Sequence, residues 1–185
     1  MNALLLIVGR EMGAYLKGFS GYVIAALLLG VDGLLFNAFA LGGGERLSSE
    51  VLRNFFYFSS GTTMVAAILL SMRLIAEERH DETIVLLYTA PIGEWQIALG
   101  KWLSAFLFLA MILLASVYMP LLVAVNGALS LGHLASGYLG LLLLGAAVTA
   151  LGTLASSLTR SQVVAGIIGG ALTVSLLVTW LLSRV

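Results

Sequence analysis

One long polar stretch interrupts an otherwise apolar sequence, and it limits what this chain can fold into. The stretch runs from Arg73 to Lys101 and holds five of the nine acidic residues. At the centre of a bilayer each charge costs about 2.5–3.5 kcal/mol, so the stretch must lie in water between two membrane spans. The chain is 61% hydrophobic and 10% charged, with a mean hydropathy of +1.08. These values indicate a membrane protein rather than a soluble domain.

The apolar runs predict an all-α, polytopic transmembrane bundle, because about 20 mainly apolar residues cross the hydrocarbon. The five predicted spans are residues 19–41, 54–72, 102–125, 134–158 and 163–182. Residues 1–18 are too short and too charged to cross. Their apolar positions recur at helical spacing, which predicts an interfacial helix on the membrane surface; the alternative is the frayed start of the first span. Residues 1–185 are then one membrane domain, with the 73–101 segment between the second and third spans.

The distribution of lysine and arginine predicts the orientation. With the N-terminus in the cytoplasm, six of the nine basic residues face the cytoplasm and three face the other side. We therefore expect a multi-pass membrane protein whose N-terminus and polar stretch are cytoplasmic. Five spans place the C-terminus outside, so either the protein has five spans or a sixth is missing from this chain.

Composition also limits the function. The formal net charge is zero, which gives no reason to expect a nucleic-acid partner, and the chain has no cysteine for a thiolate metal site. His80 and His133 are single, and no nucleophile–base pair is evident, so we expect no catalytic residue, no metal and no cofactor on this chain. Gly100-Lys101 does not belong to a phosphate-binding loop, because that motif needs glycine at Trp95 and serine or threonine at Trp102.

The polar stretch itself predicts two short helices joined by a corner. Asp81 can cap a helix over residues 82–89, and Pro91 cannot continue that helix but suits the first turn of the next. The second helix should lead through Trp95 and Lys101 into the third span. Apolar residues 84–88 are unusual for a solvated loop and indicate either a protein contact or packing on the membrane. Farther along, Pro120 predicts a bend in the third span.

The stretch resembles the signature of ATP-binding cassette (ABC) exporter permeases of the second type, especially gliding-motility and copper-enzyme-maturation permeases. The matching residues are Met72, Arg73, Leu74, Ala76, Glu77, Glu78, Arg79, Thr83, Ile84, Leu86, Leu87, Pro91, Gly100 and Lys101. A weaker match covers Ser156–Ala165. Glu82 stands where these permeases commonly have glycine and Val85 where they have glutamate, and they have six spans.

The resemblance implies a permease subunit that couples ATP hydrolysis on a partner to export or mechanical work. It further implies two ABC ATPase subunits that hold ATP and Mg, and a second permease subunit, identical or homologous, within membrane lipid. The implied ATPase-coupling surface is Glu77, Glu78, Arg79, Asp81, Glu82, Thr83, Leu86, Leu87 and Pro91. A non-transporting scaffold or assembly subunit is the alternative function. A membrane-embedded enzyme would need more polar residues inside the spans.

Two other features are predicted within the spans. Asp32, with Asn37 one to two turns later, is an intramembrane carboxylate that needs a partner, a proton or water; alternatively, it bonds a neighbouring helix near the outer leaflet. Gly166 and Gly170 form a small-xxx-small face that lets helices pack closely, more plausibly within the chain than in a dimer.

Overall fold

The computed structural model describes residues 3–38, 48–83, 93–123 and 131–183. The eight helices of these residues are α1 (Ala3–Lys17), α2 (Phe19–Phe36), α3 (Ser48–Ser71), α4 (Ala76–His80), α5 (Glu94–Ala115), α6 (Tyr118–Val123), α7 (Leu131–Ser157) and α8 (Gln162–Leu182). Five segments are long and apolar enough to cross a membrane, namely Phe19–Phe36, Glu50–His80, Glu94–Leu122, Leu131–Ser157 and Gln162–Leu182. The predicted all-α bundle with five spans is confirmed.

Two helices begin earlier than the predicted spans. Helix α3 already starts at Ser48, so Glu50 and Arg53, which precede the predicted second span, are helical. Helix α5 starts at Glu94 and runs without a break through Lys101 into the third span. Its first turn is closed by the Gln96 side chain, whose Oε1 accepts a hydrogen bond from the Gly93 backbone N–H at 3.3 Å. Polar residues thus extend both helices beyond the apolar runs that define the spans.

The third span is interrupted near Pro120. Because proline has no N–H, it cannot bond the carbonyl of Ser116 one turn earlier. That carbonyl instead accepts the N–H of Met119 at 3.0 Å, and α5 ends at Ala115 before the short helix α6 begins. The Ser116 hydroxyl lies 3.1 Å from the hydroxyl of Tyr138 on α7 and ties the interruption to the bundle. The bend predicted from Pro120 therefore corresponds to a break between α5 and α6.

Helix α7 packs closely against its neighbours along a row of glycines. A Cβ at Gly137 would overlap the ring of Phe56, one at Gly145 would lie 2.7 Å from Leu109, and one at Gly152 would overlap the Ser71 hydroxyl. Contact at such short range maximises van der Waals packing, which drives helix association in lipid, where the hydrophobic effect contributes little. Because these three positions are glycine, α3 and α5 can pack this closely against α7.

Helix α1 is separate from the first span and is partly covered by protein. Gly18 separates it from α2, and Ile7, Val8 and Tyr15 are buried. Ile7 packs on Gly100 of α5, where a Cβ would come within 2.9 Å of Ile7 Cγ2. The apolar side of α1, which predicts a helix on the membrane surface, therefore packs in part on α5.

Candidate coupling site

The polar segment begins with a corner between α3 and α4 that is fixed by Ser156 of α7. The Ser156 Oγ accepts hydrogen bonds from the backbone N–H groups of Ile75 and Ala76, at 3.0 and 2.9 Å, and lies 3.0 Å from the carbonyl of Met72, to which it donates. The first N–H groups of a helix have no partner within it, and a serine normally caps them from the preceding position. Here the capping hydroxyl comes from a different helix, so α4 is attached to α7 through its backbone.

A cluster of charged side chains joins α4 to α1 and α5. Lys101 of α5 is only 1% exposed, and its Nζ lies 3.2 Å from Glu11 Oε1 and 2.9 Å from Glu78 Oε1. Arg10 approaches the same two oxygens, at 2.7 and 2.8 Å. The cluster thus contains two basic and two acidic side chains in direct contact. We call Arg10, Glu11, Glu78 and Lys101 the four-charge cluster.

The electrostatics of the cluster favour its ionised form. Burial alone would raise the pKa of Glu11, but the charge of Lys101 and the hydrogen bond and charge of Arg10 outweigh burial, and the pKa lies below its ordinary value of 4.5. The hydrogen bond to Glu11 raises the pKa of Arg10 above its ordinary value. Both groups therefore keep their charges at neutral pH.

A water-accessible cavity of about 260 Å³ lies beside the cluster. Arg73 and Glu77 border it and bind each other through two hydrogen bonds of 3.0 Å each. Tyr15 closes the cavity toward the bundle, where its hydroxyl donates to the carbonyl of Leu70 at 3.3 Å. Every acid and base that lines the cavity has an ionic partner in the part of the chain described here, so the cavity holds no unpaired charge for a ligand.

The residues that follow α4 are open to solvent. His80, Asp81, Glu82 and Thr83 are exposed, and Arg79 is half-buried. Asp81 follows α4 as its C-terminal cap and does not start a helix, because residues 81–83 form a turn. The helix start predicted at Glu82 is therefore wrong. Glu82 has a φ of 58°, in the left-handed region that favours glycine, at the position where the resembling permeases commonly have glycine.

The predicted ATPase-coupling surface is divided by the structure. The tip residues Asp81, Glu82 and Thr83 are open to a partner, whereas Glu78 faces the four-charge cluster with only 15% of its side chain exposed. Glu77 is occupied by Arg73. Leu86, Leu87 and Pro91 lie outside the described residues. Sequence reasoning missed the roles of Arg10, Glu11 and Ser156; a lysine directly at the start of a long apolar span, with acids upstream, was the available signal for an ionic partner.

The other predicted residues lie apart from this site. Asp32 is 1% exposed and bonds Thr62 of α3, as one sequence alternative proposes, whereas Asn37 is exposed beyond the end of α2. Gly166 faces Met72, with 3.2 Å between its ideal Cβ and the sulfur. An ideal Cβ at Gly170 meets no described atom within 4 Å; the close approach of α8 to α7 occurs instead at Gly169, where an ideal Cβ would lie 3.4 Å from the Cα of Gly152.

The fold and the site together define the class of protein to which this chain belongs. Among the described residues there is no group of three or more potential metal-ligating side chains. The fold is that of a multi-pass membrane protein: a polytopic helical bundle with a compact polar corner between two of its membrane-spanning segments.

The family can be stated from sequence comparison. The profile of the family described as ABC-2 family transporter protein matches residues 38–184, which is most of the chain. The protein belongs to this family and is a multi-pass membrane subunit, the permease, of an ABC transporter. Comparison with curated proteins and with solved structures gave no match.

Proposed function

We propose that this permease subunit couples ATP hydrolysis on a separate ATPase subunit to export or to mechanical work across the bacterial inner membrane. In the proposed assembly, two ATPase subunits hold ATP and Mg, and this chain pairs with a second permease subunit, identical or homologous. The N-terminus and the tip residues Asp81, Glu82 and Thr83 face the cytoplasm. The proposal combines the family with the geometry of the corner after α3.

The observation that carries the proposal is the attachment of α4 to several helices at once. Its first N–H groups are bound by Ser156 of α7, and Glu78 on its inner side is bound by Lys101 of α5 and Arg10 of α1. A force on the exposed tip therefore reaches α1, α5 and α7 through short polar contacts, and reaches α3 through the chain. Closely packed interiors transmit such displacements because they have low compressibility.

The proposed orientation of the protein in the membrane is supported by the charged residues that lie at the same end of the bundle. The four-charge cluster joins α1 to the start of α5, and the end of α3 meets the end of α7 at Ser156. The turn that carries Arg160 follows directly after α7. Arg10, Lys101 and Arg160 thus lie toward one end of the bundle, and the positive-inside rule favours the cytoplasm for that end.

Charge reversal at the tip tests binding of the ATPase. In the complex purified through this subunit, Asp81→Arg with Glu82→Arg should reduce the amount of copurifying ATPase at least several-fold. Glu50→Arg reverses an exposed acid at the opposite end of α3 and should leave the complex intact. Equal recovery of ATPase with both variants would contradict the proposed docking surface.

A second variant tests transmission separately from binding. Ser156→Ala removes the cap of α4, so the ATPase should still copurify while its hydrolysis responds less to the permease subunit. Ser157→Ala is the matched control, because among the described residues the Ser157 hydroxyl bonds the carbonyl of Leu154 on its own helix and no other helix. If the wild-type complex contains an ATPase whose hydrolysis is the same with and without this subunit, the chain is a scaffold rather than a coupling permease.

A further inference from the structure

Asp32 is buried at a place that no cation of the described residues reaches. It is 1% exposed on α2 and its Oδ1 lies 2.6 Å from the hydroxyl of Thr62 on α3, whereas its Oδ2 has no hydrogen-bond partner among the described residues. Asp32 lies about 6 Å before the last residue of α2, and Thr62 lies about 20 Å from the start of α3, at 1.5 Å per residue. An ionised carboxylate that is buried this completely, with one oxygen unpaired, is costly.

The charged groups on the helices that contact α2 do not reach this carboxyl. Most of these contacts come from α1, α3 and α5, and α6, where Met119 lies beside Gly33, has no charged residue. Their charged residues are either exposed or bound in the four-charge cluster: Arg10, Glu11, Lys17, Glu50, Arg53, Glu94 and Lys101. Of the nearby phenols, Tyr22, Tyr57 and Tyr118 are exposed, and the Tyr138 hydroxyl is paired with Ser116.

The hydrogen-bond geometry indicates where a proton lies. The Thr62 Oγ1 is 2.6 Å from Asp32 Oδ1 and also 3.1 Å from the backbone carbonyl of Ser59, but a hydroxyl has only one hydrogen to donate. If Asp32 is ionised, Thr62 must choose between two acceptors. If Oδ1 carries a proton, that proton is donated to Thr62, whose own hydrogen goes to Ser59. Both short contacts are then satisfied, and Oδ2 is a neutral carbonyl oxygen.

A small cavity of about 10 Å³ adjoins the carboxyl group. Among its lining residues only Asp32 and Ser59 carry side-chain oxygens, and the others are aliphatic or aromatic. A hard metal cation needs about six oxygen ligands, whereas a volume of this order holds at most one water molecule. The cavity suits a proton, with or without one water that bonds Oδ2, better than a metal cation.

We propose that Asp32 is a proton-binding site within the membrane, in which the carboxylic acid links α2 to α3 through a chain from Asp32 to Thr62 to the Ser59 carbonyl. The site is distinct from the coupling corner, because neither Asp32 nor Thr62 contacts the four-charge cluster or Ser156. While the proton is bound, the Asp32–Thr62 hydrogen bond between α2 and α3 and the bond from Thr62 to the Ser59 carbonyl are made together; without the proton, Thr62 can make only one of them.

Infrared spectroscopy of the full chain in lipid at pH 7 tests the proposal directly. Wild-type protein should show a carbonyl stretching band of a protonated carboxylic acid that shifts in D₂O, is absent from Asp32→Asn and persists in Glu94→Gln, a matched exposed acid. If Asp32→Asn removes only carboxylate absorption, Asp32 is ionised and bound by a cation from outside the described residues, and the proposal fails.

Two further measurements distinguish a bound proton from a bound metal ion. They also keep the proposal testable if the Asp32→Asn variant does not fold. Thermal unfolding of the wild type should be the same in sodium, calcium and choline salts; a cation-dependent stabilisation that Asp32→Asn abolishes would overturn the proposal. Thr62→Val removes the acceptor and should shift the acid band, whereas Thr62→Ser should preserve it. An unchanged band in Thr62→Val would show that the acid does not donate to Thr62.

Discussion

Replacing Lys101 with methionine is the most informative test of how the polar corner is held together. Methionine has a similar length and no charge, so it leaves little empty volume while removing the ammonium group that lies between Glu11 and Glu78. Removing one partner of a buried ion pair costs about 3–5 kcal/mol, since the remaining charge stays buried without its partner.

The structure places this substitution at the lower end of that range. Arg10 remains within 2.7 and 2.8 Å of the two carboxylates, and each carboxylate is 15% exposed, so neither is left alone in an apolar environment. We expect a loss of about 3 kcal/mol in the free energy of unfolding. For a chain of this size that corresponds to a fall of about 6–12 °C in the unfolding temperature.

Thermal unfolding followed by circular dichroism, in one detergent and at one salt concentration, measures the effect. Lys17→Met makes the same chemical change at an exposed position of α1 and should alter stability by less than about 0.5 kcal/mol. Combining Lys101→Met with Glu78→Gln should cost less than the sum of the single changes, by about 2 kcal/mol, because the two groups interact directly. The reasoning is refuted if Lys101→Met is no more harmful than Lys17→Met, or if the two changes add.

Two other predictions concern packing and pH. Gly152→Ala places a methyl group on the Ser71 hydroxyl and should destabilise the bundle by about 1–3 kcal/mol in the same unfolding assay. Gly140→Ala is the control, because an ideal Cβ at Gly140 meets no described atom within 4 Å, and it should not destabilise the bundle. Equal effects of the two substitutions would refute the close packing of α7. Because the pKa of Glu11 is lowered in the folded protein, its ionised form contributes stability above pH 4.5 that is lost as the pH falls through the lowered pKa. Glu11→Gln should therefore be less stable than wild type at neutral pH and should flatten the acid side of the stability curve, and a curve that is unchanged would refute the ionic role of Glu11.

The architecture could be predicted from the sequence because the membrane permits few alternatives. Apolar length alone defines five spans, since a helix satisfies all of its own backbone groups in lipid. Pro120 also predicts the interruption between α5 and α6 from its missing N–H. The first turns of α3, from Ser48 to Arg53, were not predicted as helix because Glu50 and Arg53 are polar enough for a loop, whereas a helix can continue past the hydrocarbon with polar residues on its exposed turns.

The site was less predictable, because its contacts join residues that are distant in the sequence. Glu78 belongs to the same charged run as Asp81 and Glu82, yet it faces inward to Lys101 while they face outward. Ser156 caps a helix 80 residues earlier in the chain, and no local pattern describes such a contact. Glu82 gave a further signal, because this non-glycine residue stands where the resembling permeases commonly have glycine, and it adopts the left-handed conformation in the turn after α4.

The ion pair between Glu11 and Lys101 has a consequence for biosynthesis. The two residues are 90 positions apart, so Glu11 leaves the ribosome long before the ammonium group of Lys101, and until then its partner is the neighbouring Arg10. Until α5 has been translated and inserted, α1 has neither Lys101 nor the Gly100 surface on which Ile7 packs. Helix α1 therefore reaches its final position only after α5 has been synthesised, and a chain truncated before α5 should leave α1 exposed to proteases.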